Sequence, residues 1–299
     1  MKFSKLSKKQ IFDTLQTREL ENVPLLKIID TYLMQLRRYI IKSPPPGTPV
    51  ISLMSGGLDT TVITEYLMRI KKLQVYPVYF YRHKKNSKRA LASIRYFSKR
   101  FKKLYPSLYH EPITFDLYIP PKLIEKDLFK SQDDIIPPSI YHHKGVPFQP
   151  NIYAYYCAYY ARFLSEREHV NVNTIIGSWL PSNSDWYSYE TVTAFRLIML
   201  NLISMTRDTS FQFYALPMEP ELGYFFDKEE LIRWGVSVGI PLARTWTCGR
   251  GGYFQCGQCT QCSVRKDRFE ISGIQDKTIY KQAFIDKAKK LLKNVLQRT

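Results

Sequence analysis

One turn constrains the fold of this chain more than any other feature, because it places two adjacent glycines directly after a short apolar segment. Residues 50–54 read Val-Ile-Ser-Leu-Met, a pattern typical of a buried strand, and Ser-Gly-Gly-Leu-Asp-Thr-Thr follows at 55–61. The segment 62–72 then predicts a helix. Two glycines let a backbone approach an anion closely, and the N–H groups at a helix start favour negative charge. The turn therefore predicts a phosphate site inside a strand–turn–helix unit.

The side chains of the turn extend this prediction. Ser55, Thr60 and Thr61 can donate hydroxyl hydrogen bonds, and Asp59 suits an anion site if it meets a magnesium ion carried by the phosphates. The turn lacks the Lys that a Walker loop has after its second Gly, and it is not the dinucleotide fingerprint. The candidate nucleotide-binding residues are Met54, Ser55, Gly56, Gly57, Leu58, Asp59, Thr60 and Thr61.

Strand-like and helix-like segments alternate along the chain. Further strands are expected at 75–81, 109–119, 174–177 and 211–215, and further helices at 153–168, 191–204, 228–238 and 281–297. This alternation predicts an α/β fold with an open, mostly parallel, Rossmann-like sheet and helices on both faces.

The sequence divides into an extension and one main domain. Residues 1–46 are interpreted as a helical N-terminal extension that packs on the main domain, because apolar residues recur at helical spacing until prolines at 44–46 end the pattern. Residues 47–299 are interpreted as the main domain, which includes a zinc module at 245–270 and a C-terminal helix.

Four of the five cysteines, Cys248, Cys256, Cys259 and Cys262, fall within fifteen positions. A secreted disulfide scaffold would spread an even number over a short chain. Four thiolates suit a closed tetrahedral Zn²⁺ site of structural type, and an iron–sulfur cluster is the alternative. The fifth, Cys157, is interpreted as a small buried residue.

The charge balance favours anionic partners. The chain has 44 basic and 26 acidic residues, a formal net charge of +18, and ten Lys or Arg without any acid lie at 82–103. That segment is either a solvated helix face or a docking surface for a polyanion. No apolar segment follows the basic N-terminus and no stretch predicts a membrane span, so we expect a cytoplasmic protein without a signal peptide.

Two parts of the chain resemble known enzymes. The turn resembles the Ser-Gly-Gly-x-Asp-Ser loop of the N-type ATP pyrophosphatases (the PP-loop superfamily), with Thr60 in place of the last Ser. Residues 228–273 resemble 7-cyano-7-deazaguanine synthase. Its Gly-x-x-x-Gly-x-Pro is matched at 235–241, and its Cys-Gly-x-Cys-x-x-Cys-x-x-Arg-x-x-x-Phe is matched at 256–269. Its Lys-x-Glu-Ile is matched at 228–231 except for Leu231, and its Thr-Trp-Ser-Cys is matched at 245–248 except for Thr247. The chain is identified as a divergent member over roughly residues 48–275.

The resemblance implies a C–N ligase-type enzyme that uses ATP, Mg²⁺ and Zn²⁺. That family adenylates the carboxylate of 7-carboxy-7-deazaguanine with release of pyrophosphate, and ammonia then displaces AMP. A second ATP drives dehydration to the nitrile, a queuosine precursor called preQ0. By this resemblance Asp59 and Lys228 are the expected catalytic residues, with Lys228 stabilising the departing pyrophosphate. Asn151, Asp185 and Tyr187 are the expected substrate contacts.

The chain departs from the family pattern in two segments, one after the second predicted strand and one that lies near the purine pocket in the family. The segment 81–84, Tyr-Arg-His-Lys, lacks the Gly and Gln of the family's Tyr-Gly-Gln, and the family's Pro-x-Arg-Asn keeps Asn151 but loses its Arg. The nitrogen nucleophile therefore stays open. It is ammonia or, in a divergent homologue of the kind found beside antiphage genes, an amine of a protein or nucleic acid. A non-catalytic basic zinc protein that binds nucleic acid is the further alternative, and a homodimer also stays open.

Overall fold

The computed structural model describes residues 3, 5–14, 23–117, 149–181 and 189–281. Five strands form one sheet with the order β3-β2-β1-β4-β5, and every neighbouring pair is parallel. This confirms the predicted open parallel sheet. The strands are β1 (Pro49–Leu53), β2 (Gln74–Tyr81), β3 (Ile113–Asp116), β4 (Thr174–Gly177) and β5 (Gln212–Ala215).

Helices connect and flank these strands. The helices are α1 (Lys8–Thr14), α2 (Val23–Arg37), α3 (Leu58–Arg69), α4 (Ser87–Leu104), α5 (Gln149–Arg167), α6 (Tyr189–Thr206), α7 (Lys228–Ser237) and α8 (Thr260–Ile271). Because parallel crossovers are right-handed, α3 and α4 lie on one face of the sheet, and α5 and α6 lie on the other. Short 3-10 helices lie at Leu216–Met218, Pro220–Leu222 and Leu242–Arg244.

Burial on both faces explains the apolar runs of the strands. All four residues of β4 are buried, and so are the last four residues of β1. A parallel sheet covered by helices on both sides requires such continuous apolar segments rather than alternation. Cys157, in α5, is fully buried, as expected.

The segment before the sheet packs on the main domain. The ring of Phe3 stacks on those of Tyr66 and Phe226, at centroid distances of 4.4 and 4.2 Å, and α2 packs against α6. The chain thus has the expected N-terminal helices, and its division at residue 46 stays a prediction. The C-terminal helix expected at 281–297 lies outside the described residues except for residue 281. No helix in the described part combines the length and apolar character needed to cross a membrane.

Candidate active site and cysteine cluster

The glycine turn lies between β1 and α3, and its backbone contacts β2 and α4. The N–H of Met54 donates to the carbonyl of Val78 in β2, at 2.9 Å. Gly56 has a φ of +75°, and a Cβ at this position would lie 2.5 Å from the carbonyl oxygen of Ala90 in α4. Since an L side chain rarely adopts this φ and α4 leaves no space for one, the turn requires glycine at position 56.

The carbonyl of Gly56 accepts hydrogen bonds from two separate elements. The backbone N–H of Trp246 donates to it at 2.9 Å, and the hydroxyl of Ser93 in α4 donates at 2.8 Å. The indole N–H of Trp246 donates in turn to the carbonyl of Cys248, at 2.8 Å. The turn is therefore joined to the first of the clustered cysteines through one residue.

The hydroxyls of the turn form a small network at its mouth. The Oγ atoms of Ser55 and Thr60 lie 3.1 Å apart, and the N–H of Ser55 donates to the Thr60 hydroxyl. The N–H of Gly57 donates to the Ser55 hydroxyl, at 3.3 Å. Hydroxyl and N–H donors are thus gathered at the start of α3, which is the arrangement that an anion needs.

The two expected catalytic residues are brought together, although they are far apart in sequence. Asp59 lies in the first turn of α3 and Lys228 begins α7, and the Lys228 Nζ lies 3.3 Å from the Asp59 Oδ2. The other oxygen, Oδ1, is buried and accepts no hydrogen bond from the described residues. A carboxylate oxygen left in this state fits Mg²⁺, which prefers oxygen ligands.

A cavity of about 290 Å³ opens beside the turn, at the carboxyl ends of β1, β2 and β4. This is where the strand order reverses direction, and open α/β sheets bind ligands at such a point. Of the expected nucleotide-binding residues, Met54, Ser55, Gly57, Asp59 and Thr60 line the cavity. Gly56, Leu58 and Thr61 do not line it, and Leu58 and Thr61 are buried in the core.

The cavity wall also contains residues that sequence reasoning missed. Arg82 and Lys84 follow β2, and Ser178 and Trp179 follow β4. The Oγ of Ser178 is buried and makes no hydrogen bond within the described residues. The signal that could have found these residues is their position directly after predicted strands.

The expected substrate contacts are only partly described. Asn151 lies in the first turn of α5 and is half-buried, but it is not among the residues described as lining the cavity, whereas Tyr153 of the same helix is. Asp185 and Tyr187 lie outside the described residues. Their proposed contacts with a substrate stay predictions.

The four clustered cysteines converge on one point. The Sγ atoms of Cys248, Cys256, Cys259 and Cys262 all lie within 4.8 Å of one another, and two of the pairs are 3.9 Å apart. Tetrahedral bonds of about 2.3 Å to zinc place sulfur atoms about 3.8 Å apart. The cluster is therefore positioned for a metal ion with four thiolate ligands.

Backbone donors support the thiolate form at one of these cysteines. Burial raises the pKa of the Cys256 thiol, as it does for Cys248 and Cys262. At Cys256, however, the N–H groups of Gln258 and Cys259 point at the sulfur, at 3.4 and 3.3 Å, and together with the Cys248 and Cys259 side chains they outweigh burial. The pKa is lowered to about 6. Since a metal takes the deprotonated sulfur, this arrangement favours metal binding at neutral pH.

The basic segment at 82–103 mostly forms α4, which is amphipathic. Phe97 and Phe101 are fully buried on one side, and the other side is basic. Its exposed basic residues are Lys88, Arg95, Lys99, Lys102 and Lys103. The structure thus has an exposed basic helix face here, and both interpretations of it, a solvated face and a docking surface, stay open.

Comparison with known proteins gives one family. The family model described as queuosine biosynthesis protein QueC matches residues 49–273. A 7-cyano-7-deazaguanine synthase from Thermoplasma acidophilum is 25% identical over 254 residues, which cover 80% of this chain and 98% of the relative. The 7-cyano-7-deazaguanine synthase 2 of Sulfurisphaera tokodaii is 43% identical over 53 residues, which are 18% of this chain and only 12% of that relative.

Among solved structures, the U34-tRNA thiolase NcsA from Methanococcus maripaludis with its 4Fe-4S cluster matches at 11% identity. The match covers 83% of this chain and 73% of that chain, with a TM-score of 0.33. A likeness this distant carries no argument about the metal or the substrate.

Proposed function

Because the family model covers residues 49–273, this chain belongs to the QueC family of queuosine biosynthesis proteins, and we propose that it is an ATP-dependent C–N ligase acting on a deazapurine carboxylate. The observation that carries the proposal is the pairing of Asp59 with Lys228, at 3.3 Å, beside the glycine turn. A carboxylate is a poor electrophile and needs activation by ATP. An acid, a cation and backbone donors gathered beside one turn support the proposal that this activation takes place there.

The proposed first step is adenylation. A carboxylate oxygen of 7-carboxy-7-deazaguanine attacks the α-phosphorus of ATP, the bond to the β-phosphate bridging oxygen breaks, and pyrophosphate leaves with the electron pair. The donors at Ser55, Gly57 and Thr60 receive the phosphates, and Lys228 neutralises charge on the departing group. Asp59 would hold Mg²⁺ through its Oδ1, and the ion would supply further neutralisation of the phosphates.

In the second step a nitrogen nucleophile adds to the acyl carbon, loses a proton and displaces AMP. With ammonia the product is the amide, and a second ATP then drives its dehydration to the nitrile. The cavity at the strand ends supports two successive steps at one site. The acyl adenylate and the nitrogen nucleophile would both lie beside the turn and would react without the adenylate leaving.

We also propose that the ion held by Cys248, Cys256, Cys259 and Cys262 is Zn²⁺ with a structural role. Four thiolates fill a tetrahedral shell and leave no position for substrate. Among the described residues, Trp246 links the cluster to the turn, so the effect of the ion on the reaction would be through the position of the turn.

The test is incubation with 7-carboxy-7-deazaguanine, ATP, Mg²⁺ and ammonium, followed by mass spectrometry and nucleotide analysis. We expect AMP, pyrophosphate and the amide or nitrile. Asp59→Asn is expected to abolish these products, whereas Asp13→Asn, at an exposed position in α1, serves as the matched control and leaves them unchanged. Release of ADP and phosphate would refute the proposal.

A second acceptor is favoured by one observation, the basic face of α4. Lys88, Arg95 and Lys99 are exposed at spacings of seven and four residues, which places them on one side of the helix. An amine of an anionic protein or nucleic acid would dock there. Replacing all three with Gln is then expected to impair transfer to that partner, to weaken its salt dependence, and to leave adenylation unchanged.

A further inference from the structure

Two cations that follow β2 form one wall of the cavity beside the glycine turn. Arg82 and Lys84 both line it, and the turn at the end of β1 lines the adjoining wall. Asp59 is the one acid among the lining residues that the structure describes, and it is engaged by Lys228. The described lining therefore carries a net positive charge beside the place where the turn would receive phosphates.

The Arg82 side chain contacts a pair of stacked aromatic rings. It donates a hydrogen bond to the hydroxyl of Tyr153, and the Tyr153 ring stacks on Phe80 of β2, with centroids 4.0 Å apart and planes at 5°. His83, between the two cations, pairs with Asp116 at the end of β3. Asp116 is thus engaged by the histidine, and the Arg82 side chain is oriented by its hydrogen bond to Tyr153.

We infer that Arg82 and Lys84 form a second anion subsite, which binds the carboxylate group of the acid that ATP activates. The inference rests on the proposed function. Adenylation has to bring a carboxylate to a phosphate, and two anions repel one another unless cations lie beside them. The donors of the turn lie on the phosphate side, while a guanidinium and an ammonium on the neighbouring wall can take both carboxylate oxygens.

The chain departs from the pattern it resembles at this place. Where the resemblance leads one to expect Tyr-Gly-Gln, the chain has Tyr-Arg-His at 81–83, and Lys84 follows. The subsite therefore distinguishes an acid from a neutral ligand of the same shape, since only the acid completes the charge pairing. A neutral ligand would leave the two cations desolvated without compensation.

Equilibrium binding tests the inference without turnover. Calorimetry compares 7-carboxy-7-deazaguanine with its uncharged 7-carboxamide, each with and without a saturating α,β-methylene analogue of ATP. We expect wild type to bind the acid more tightly than the amide. Arg82→Met or Lys84→Met should lower the affinity for the acid about tenfold or more and change the affinity for the amide less than about twofold. Lys85→Met, at the exposed neighbouring position, is the matched control and should bind as wild type does. Arg82→Lys should recover part of the preference.

Three results would overturn the inference and leave the proposed function standing. An equal loss of affinity for the acid and for the amide in the Met variants would mean that Arg82 and Lys84 only shape the cavity wall. Loss of affinity for the ATP analogue, with the acid unaffected, would assign both cations to the triphosphate. A preference for the acid that survives in both Met variants would place its carboxylate elsewhere while the proposed function stood. A wild type that binds neither ligand would instead refute the proposed function, and the carboxylate subsite with it.

Discussion

Replacing Gly56 with Ala should destabilise the protein strongly for a reason that can be worked out from the turn. The residue has a φ of +75°, which costs an L residue roughly 1–2 kcal/mol. The new Cβ would lie 2.5 Å from the Ala90 carbonyl oxygen, so the turn or α4 must move, and overpacking of this kind costs about 1–3 kcal/mol. Movement would also disturb the hydrogen bonds that Trp246 and Ser93 donate to the Gly56 carbonyl. We expect a loss of about 2–5 kcal/mol in the free energy of unfolding.

Urea unfolding measures this loss, and the neighbouring glycine gives a matched control. Gly57 has a φ of −77°, and the nearest atom to an added Cβ is the flexible Ser55 Oγ at 3.2 Å. Gly57→Ala should therefore cost less than about 1 kcal/mol. If Gly56→Ala unfolds within about 0.5 kcal/mol of wild type, or if the two variants are equally destabilised, the described packing of α4 on the turn is wrong.

Three further outcomes are expected. Cys259→Ser should reduce metal content from one zinc per chain in elemental analysis and lower stability, because metal binding is coupled to folding; a fully folded, metal-free wild type would contradict this. Gly57→Val should block nucleotide binding, measured by calorimetry, while the fold persists, since its side chain would enter the cavity. Burial raises the pKa of Asp276, but the Arg265 guanidinium outweighs it and holds that pKa below its ordinary value. The resulting stability is present above the pKa of the unfolded chain, about 3.9, and is lost as pH falls through the lower folded value. Asp276→Asn should therefore cost about 3 kcal/mol at pH 7 and progressively less as pH falls below about 3.9, by urea unfolding.

Local patterns predicted the strands well and the helix boundaries less well. The strand at 174–177 has the predicted bounds, and the others overlap their predicted segments. The strand expected over 109–119 is confined to Ile113–Asp116, because Tyr109 makes only an isolated bridge with Val75. The helix after the glycine turn begins at Leu58 rather than at residue 62. The predicted start was late because polar residues in a first helical turn look like loop residues in the sequence. The negative charge of Asp59 in fact stabilises the start of the helix, where the helix dipole is positive.

The helix α8 was not predicted, and its buried face explains why. The residues that it buries are Cys262, Arg265 and Phe269, at helical spacing, and a buried arginine does not belong to an apolar pattern. The cysteine faces the cluster, and the arginine is satisfied by Asp276 and by the Thr245 hydroxyl, at 2.9 and 2.8 Å. An apolar pattern therefore could not reveal a helix whose buried face serves a metal site and an ion pair.

The cavity could be predicted only in part, because most of its wall depends on strand order. Ser55 and Asp59 follow one strand, and their sequence pattern is local. Arg82, Ser178 and Trp179 follow two other strands and meet the turn only because β2 and β4 lie on either side of β1. No local sequence pattern gives the strand order. Residues that carry no functional signal individually therefore come together as a cavity wall only when the sheet forms.

The two segments that most resemble the family are also the two that touch at the site. Lys228 reaches Asp59, and Trp246, two positions before the first cysteine of the cluster, donates to the carbonyl of Gly56. A metal that closes the cluster would fix Cys248, and through the indole bond to its carbonyl it would fix Trp246 as well. A metal ion with no open coordination position can therefore still be required for phosphate binding, because it sets where one carbonyl of the turn must lie.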